Sequence, residues 1–132
     1  VLDSDGNVVS NTEPVVVRQV ISEETSALIA SYAEQVVSGE GGSGARAAVP
    51  GYRIGGKTGT SQKLDQEGDD IILSFYGFAP ADDPKVLAVV LIDEPEGIYY
   101  GGTIAAPVIG TLFENILPCL ETVDPEPGKP LS

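Results

Sequence analysis

The spacing of apolar residues divides the chain into one helix, three strands and a second helix. Leu28, Tyr32 and Val36 recur every four residues, and Ile29, Ala33 and Val37 form the adjacent stripe. That period predicts an amphipathic helix of about four turns. Ser22 is a good N-cap, Glu23 and Glu24 favour the positive end of a helix, and Ser38-Gly39 ends it. Tyr52 to Lys63, Ile71 to Ala79 and Lys85 to Ile92 read as strands. An acidic, turn-like stretch, Leu64 to Asp70, joins the first two, and Pro80 to Pro84 makes a tight turn between the next two. Connections this short predict antiparallel neighbours. The third strand is continuously apolar, which predicts burial on both faces, and Asp93 to Gly97 closes it as a solvated loop. Pro107 suits the first turn of a helix in which Val108, Leu112, Ile116 and Ile109, Phe113, Leu117 repeat the two-stripe pattern. Ala105, Ala106 and Gly110 allow that helix to pack closely on the sheet, and Pro118 is expected to stop it.

The connecting segments read differently. Asp5-Gly6-Asn7 followed by Val8-Val9 predicts a short hairpin within residues 1–12, and Pro14 to Ile21 is a strand or an extended lead-in. Gly39 to Ala48 is rich in glycine and serine and is expected to be a mobile loop near the mouth of any site on the strand that follows. Pro125, Pro127 and Pro130 mark 121–132 as a linker or frayed tail, which leaves 3–120 as one folded unit without internal repeats.

The chain has 132 residues, 20 acidic against 7 basic side chains, and a net charge of −13. Nucleic-acid binding needs clustered Lys and Arg, so this balance argues against it and for a solvated, self-repelling surface. There is no histidine and a single cysteine, Cys119, which rules out a histidine-based triad, a Cys-x-x-Cys metal site and an internal disulfide. Cys119 is expected to be a small buried hydrophobe. No metal or cofactor is implied. No run reaches the length of a membrane span, and no signal peptide is visible. Val1 begins in mid-pattern, which makes the chain read as a piece of something longer.

The chemistry concentrates in Gly51-Tyr52-Arg53-Ile54-Gly55-Gly56-Lys57-Thr58-Gly59-Thr60-Ser61. Lys57 supplies a positive charge with three donors, and Thr58 and Thr60 supply hydroxyls. Gly59 leaves room for a ligand to lie against the main chain. The stretch is suited to an anion, a carboxylate or a phosphate. Gly51-x4-Gly56-Lys57-Thr58 also matches the phosphate-loop pattern, and Leu87 to Glu94 looks like the magnesium-holding strand of a P-loop NTPase. A phosphate loop, however, must follow a buried strand and open a helix. Gly44 to Pro50 is a poor buried strand, and Thr58 to Lys63 has no apolar period of 3.6.

Gly56-Lys57-Thr58-Gly59-Thr60 followed by Gln62-Lys63 resembles the third motif of the penicillin-binding transpeptidases. The resemblance continues through Ser74 to Pro80, Asp83-Pro84, Ile92 to Pro95, Tyr100-Gly101-Gly102 and Ala105 to Val108, with Gln19 to Thr25 upstream. It covers about residues 3 to 117 and is similar to the class B, monofunctional penicillin-binding proteins.

The resemblance implies an α/β (α+β) serine β-lactamase/transpeptidase-like fold, an antiparallel sheet flanked by helices, of which only the C-terminal half is present. It implies a peptidoglycan D,D-transpeptidase that cross-links stem peptides ending in D-Ala-D-Ala through a serine acyl-enzyme, and that is trapped by β-lactam antibiotics. Lys57 would assist the proton relay and attract the substrate carboxylate. Thr58 and Thr60 would hydrogen-bond that carboxylate, the Thr60 N–H would be one oxyanion-hole donor, and Gly59 would leave room for the substrate backbone. No S-x-x-K and no S-x-N occurs in the chain, and in the family both lie N-terminal to this region. The chain alone is therefore expected to be inactive and to need the N-terminal half of the domain, in the same or a separate chain. Without that half the strand Val86 to Ile92 would be an unpaired edge. The full-length protein would be membrane-anchored at the extracytoplasmic face of a bacterial cell, while the fragment itself would be soluble. A β-lactam sensor or a serine β-lactamase of the same fold, and a non-catalytic structural domain, are the alternatives.

Overall fold

The computed structural model describes residues 4–10, 13, 15–63, 70–97 and 100–123. Helix α1 spans Glu23–Ser38. The Ser22 side chain accepts a hydrogen bond from the Thr25 N–H at 3.2 Å, satisfying one of the donors that a helix start leaves bare. At the other end Gly39 donates to the Gln35 carbonyl at 2.8 Å. Ala33 and Val37 are buried, whereas Leu28, Ile29 and Tyr32 stay exposed, so only the C-terminal part of the apolar stripe meets the core.

The glycine-rich stretch after α1 is not an open loop. Hydrogen bonds from Gly42 to the Gly39 carbonyl, from Gly44 to Val36 and from Ala47 to Gly44 lead it into a 3-10 turn, Ala45–Ala47, with Ala47 fully buried. Backbone pairing and that one alanine fix the path where apolar side chains are lacking. Upstream, residues 15–20 carry no regular structure, and around Gly6 a turn and a single bridge residue at Val8 stand where a hairpin is expected. The rest of that expected hairpin, the 64–69 turn and the tail from 124 lie outside the described residues.

Strands β1 (Gly55–Gln62), β2 (Ile71–Ala79) and β3 (Val86–Asp93) form an antiparallel sheet in the order β1-β2-β3. Helix α2 is one short turn, Gly101–Ile104, and α3 runs from Ala106 to Val123. Ile109, Phe113 and Leu117 of α3 pack with Phe75 and Ala79 of β2 as the centre of the core. Gly77 makes this approach possible, because a side chain there would come within 2.7 Å of Ile109 Cγ2.

Four expectations are corrected here. β3 is buried on one face only: Val86, Ala88, Val90 and Ile92 pack on the core, while Leu87, Val89 and Leu91 are 66%, 58% and 69% exposed. No described element covers that second face. Pro118 does not stop α3, which continues to Val123. Losing one hydrogen bond to the Glu114 carbonyl is outweighed where Leu117, the residue before it, is docked in the core. Cys119 is exposed, with its thiol 3.7 Å from the Asn115 carbonyl. Two positions past Leu117, it has turned away from the buried stripe. Finally, Gly101–Leu120 is long and apolar enough to cross a membrane by length and composition. Its buried stripe is nonetheless spent on the sheet, as in the core helix of a globular domain.

Candidate active-site strand

β1 carries the residues singled out from the sequence, and the hydrogen-bond register says which way each points. Gln62 pairs with Ile71, and one step further Lys63 donates to the Asp70 carbonyl at 2.9 Å. Lys63 and Asp70 are therefore a hydrogen-bonded pair. By alternation so are Ser61 and Ile72, Gly59 and Ser74, and Lys57 and Tyr76. The odd residues of β1 turn their backbone groups to β2. Thr58 and Thr60 turn theirs outward, to the free edge.

Side chains alternate as well. Lys57 and Gly59 share one face of the sheet with Tyr76 and Ser74, and Thr58 and Thr60 share the other with Phe75 and Leu73. The Lys57 amine crosses this division. It reaches round the free edge to the Thr58 carbonyl at 2.8 Å and the Thr58 Oγ1 at 3.3 Å. Ammonium, hydroxyl and two outward N–H groups thus converge on a single edge.

Charge singles out the same lysine. Arg53, just before β1, binds Glu34 of α1 through Nε at 2.7 Å and Nη2 at 2.8 Å, and Asp82 through Nη1 at 2.6 Å. These bonds hold the Glu34 carboxyl below its ordinary range and push the Arg53 guanidinium further up. Lys63, just after β1, lies 2.7 Å from Asp93 and 2.6 Å from Glu94, and hydrogen bonds to both raise its pKa. Among the described residues no carboxylate lies within ion-pair distance of Lys57. Both ends of the strand are neutralised and its middle is left positive, in a chain of net charge −13.

α2 forms one wall of this edge. A side chain at Gly102 would meet the Ser43 carbonyl at 2.0 Å and Thr58 Cγ2 at 3.5 Å. Arg46 braces the same wall by donating to the Thr103 carbonyl at 3.1 Å. Tyr100, the N-cap of α2, is exposed beside it. The glycine-rich stretch thus lies beside the site strand as expected, but its contact with 100–103 is not legible in the sequence, because the two segments are distant in the chain. Lys57 sits on open surface, outside the 400 Å³ cleft that α1 forms with Arg53, Ala81 and Asp82.

A strand at Lys57 excludes the phosphate loop, whose lysine opens a helix. Asp93 and Glu94, read as a magnesium-holding pair, are instead engaged with Lys63. The model of the penicillin binding protein transpeptidase domain family matches residues 2–116. The chain belongs to this family.

Its relatives in the transpeptidase family are longer. The stage V sporulation protein D of Bacillus subtilis is 48% identical over 115 residues, which are 83% of this chain and 17% of the relative. The peptidoglycan D,D-transpeptidase FtsI of Escherichia coli is 44% identical over 81 residues, 58% of this chain and 14% of that one. Among solved structures, the transpeptidase domain of Burkholderia pseudomallei penicillin-binding protein 3 superposes with a TM-score of 0.67 at 33% identity, over 93% of this chain and 37% of that domain. The chain thus spans a minor part of the relatives it matches, and the α+β sheet with its helices is the transpeptidase fold in part.

Proposed function

We propose that this chain is the part of a peptidoglycan D,D-transpeptidase that holds the substrate carboxylate and half of the oxyanion hole. The observation that carries the reading is the free edge of β1, where the Lys57 amine and the outward N–H groups of Thr58 and Thr60 meet with no carboxylate among the described residues to neutralise them. An extended peptide ending in D-Ala-D-Ala can pair with such an edge by main-chain bonds. Thr58 and Thr60 hydroxyls bind its terminal carboxylate, Lys57 draws it in and assists the proton relay, and Gly59 keeps the main chain between them bare at the edge. The Thr60 N–H faces the position where the oxyanion forms.

The acyl-enzyme serine comes from outside these residues. The chain contains no S-x-x-K and no S-x-N, so alone it has no nucleophile for acylation. The N-terminal part of the domain supplies it, docks along the open side of β3 and closes a cavity over Lys57. The intact protein works at the extracytoplasmic face of the bacterial membrane, to which it is anchored, and β-lactams occupy the same edge as the substrate.

Intact-mass spectrometry with benzylpenicillin tests this. The complete domain should gain one penicillin mass at a serine outside this chain, and the chain alone should gain none. A penicillin adduct on a serine of this chain would refute the division of labour. Rapid release of the adduct would turn the reading to a β-lactamase of the same fold.

A further inference from the structure

We propose that Lys63 is a positioning residue of the active-site strand: gripped by Asp93 and Glu94 across the middle strand, it fixes the end of β1 that carries Thr60. Register sets the reach. Lys63 lies opposite Asp70, just before β2, and Asp93 lies opposite Ile72 of β2, so an amine that bonds to Asp93 has crossed the whole width of β2. Lys63 Nζ stands 2.7 Å from Asp93 Oδ1 and 2.6 Å from Glu94 Oε1, with its side chain only 20% exposed. The two outer strands share no backbone bond, and this clasp joins them directly, just past Thr60.

The backbone is turned to make the grip. Successive residues of a strand point to opposite faces, so an extended Asp93-Glu94 could offer only one carboxylate to Lys63. Glu94 instead has φ 48°, the one non-glycine residue with positive φ among the described residues, while its N–H still bonds to the Ile71 carbonyl at 3.0 Å. Left-handed backbone at this point leads the chain out of β3 and brings the second carboxylate to the same ammonium. A residue with a side chain is strained there. The two carboxylates are 65% and 48% exposed, and pairs so open add little to stability, so stability does not account for the strain. What the grip secures is geometry, because a shift at the end of β1 would carry the outward Thr60 N–H with it. Lys63 touches no reacting atom; it acts through the strand.

The kinetic readout rests on the transpeptidase reading, so the test pairs it with one that does not. In the complete domain carrying this chain, labelling by a fluorescent penicillin, amide exchange and thermal midpoints are compared for wild type, Lys63→Met, Lys63→Arg and Glu94→Gly. Lys63→Met keeps the stem and removes the charge. It should slow the first-order acylation step by about tenfold with non-covalent binding unchanged. It should also speed exchange of the amides at 61 and 63, which bond to β2, by about tenfold. Lys63→Arg, which can hold both carboxylates, should restore both readouts. Glu94→Gly relieves the left-handed backbone, so its midpoint should hold or rise while acylation slows severalfold, a split that a merely stabilising pair would not give. A Lys63→Met domain that acylates as wild type does overturns the inference. So does a Glu94→Gly domain with a lowered midpoint and an unchanged rate. If Lys63→Met does not fold, Glu94→Gly decides alone. If the wild-type domain takes no label, the transpeptidase reading fails instead, and amide exchange still decides whether Lys63 holds the end of β1.

Discussion

At the scale of single residues, Lys57 and Arg53 show how neighbouring cations are given different work. Lys57 has no carboxylate partner among the described residues, and its replacement by alanine should cost the complete domain about 10²–10⁴-fold in acylation while leaving the thermal midpoint in place. A midpoint that fell as steeply as the rate would make the lysine structural. Arg53 is committed to structure. Because it holds Glu34 below its ordinary value of 4.5, the pair contributes stability in full above that pH and loses it as pH falls through the lower, folded-state value. Glu34→Gln should therefore flatten the fall in thermal midpoint on acidification below about pH 5. An unchanged slope would show that the pair adds nothing measurable. Only the first assignment starts from sequence: the partners of Arg53 come from α1 and the turn after β2, whereas Lys57 lies in a recognisable string. The pairing of Gly59 with Ser74 was not legible there, because cross-strand register depends on how the hairpin closes.

The elements were readable where local chemistry and burial agree. α1 begins and ends at its cap residues, and β2 runs over the expected residues, bounded by turn formers. β3 misled, because an uninterrupted apolar run is the same text whether one face or two are covered. Register makes this testable. Glu94 donates to the Ile71 carbonyl at 3.0 Å, so the even residues of β3 bond to β2 and the odd ones point their amides away from the sheet. In hydrogen exchange on the chain alone, Leu87, Val89 and Leu91 should lose their amide protons at least about 10²-fold faster than Ala88, Val90 and Ile92. In the complete domain they should be protected. Equal protection in the chain alone would mean that the edge is already paired. Within the core, Phe113→Ala should cost about 3–5 kcal/mol in denaturant unfolding, because it empties the space against Gly77 and Phe75. A loss below about 1 kcal/mol would place the centre of the core elsewhere.

At the scale of the whole molecule, the charge of −13 acts on everything at once. Like charges repel across a compact body, and salt screens that repulsion over about 10 Å at 0.1 M. Raising sodium chloride from about 0.05 to 0.5 M should raise the thermal midpoint of the chain, and a falling midpoint would show that its few ion pairs matter more than its excess of acid.

The packing of Gly77 beneath Ile109 and Phe113 sets a schedule as well as a shape. A ribosome extrudes the meander after α1 and before α3, β1, then β2, then β3, and each hairpin can close as it appears. Phe75 and Ala79, both fully buried in the finished fold with Ile109, Phe113 and Leu117, lack that cover on the nascent sheet until α3 has left the exit tunnel. Helix α3 is the lid of the core, and a message cut short before it yields a sticky sheet for chaperones and proteases to clear.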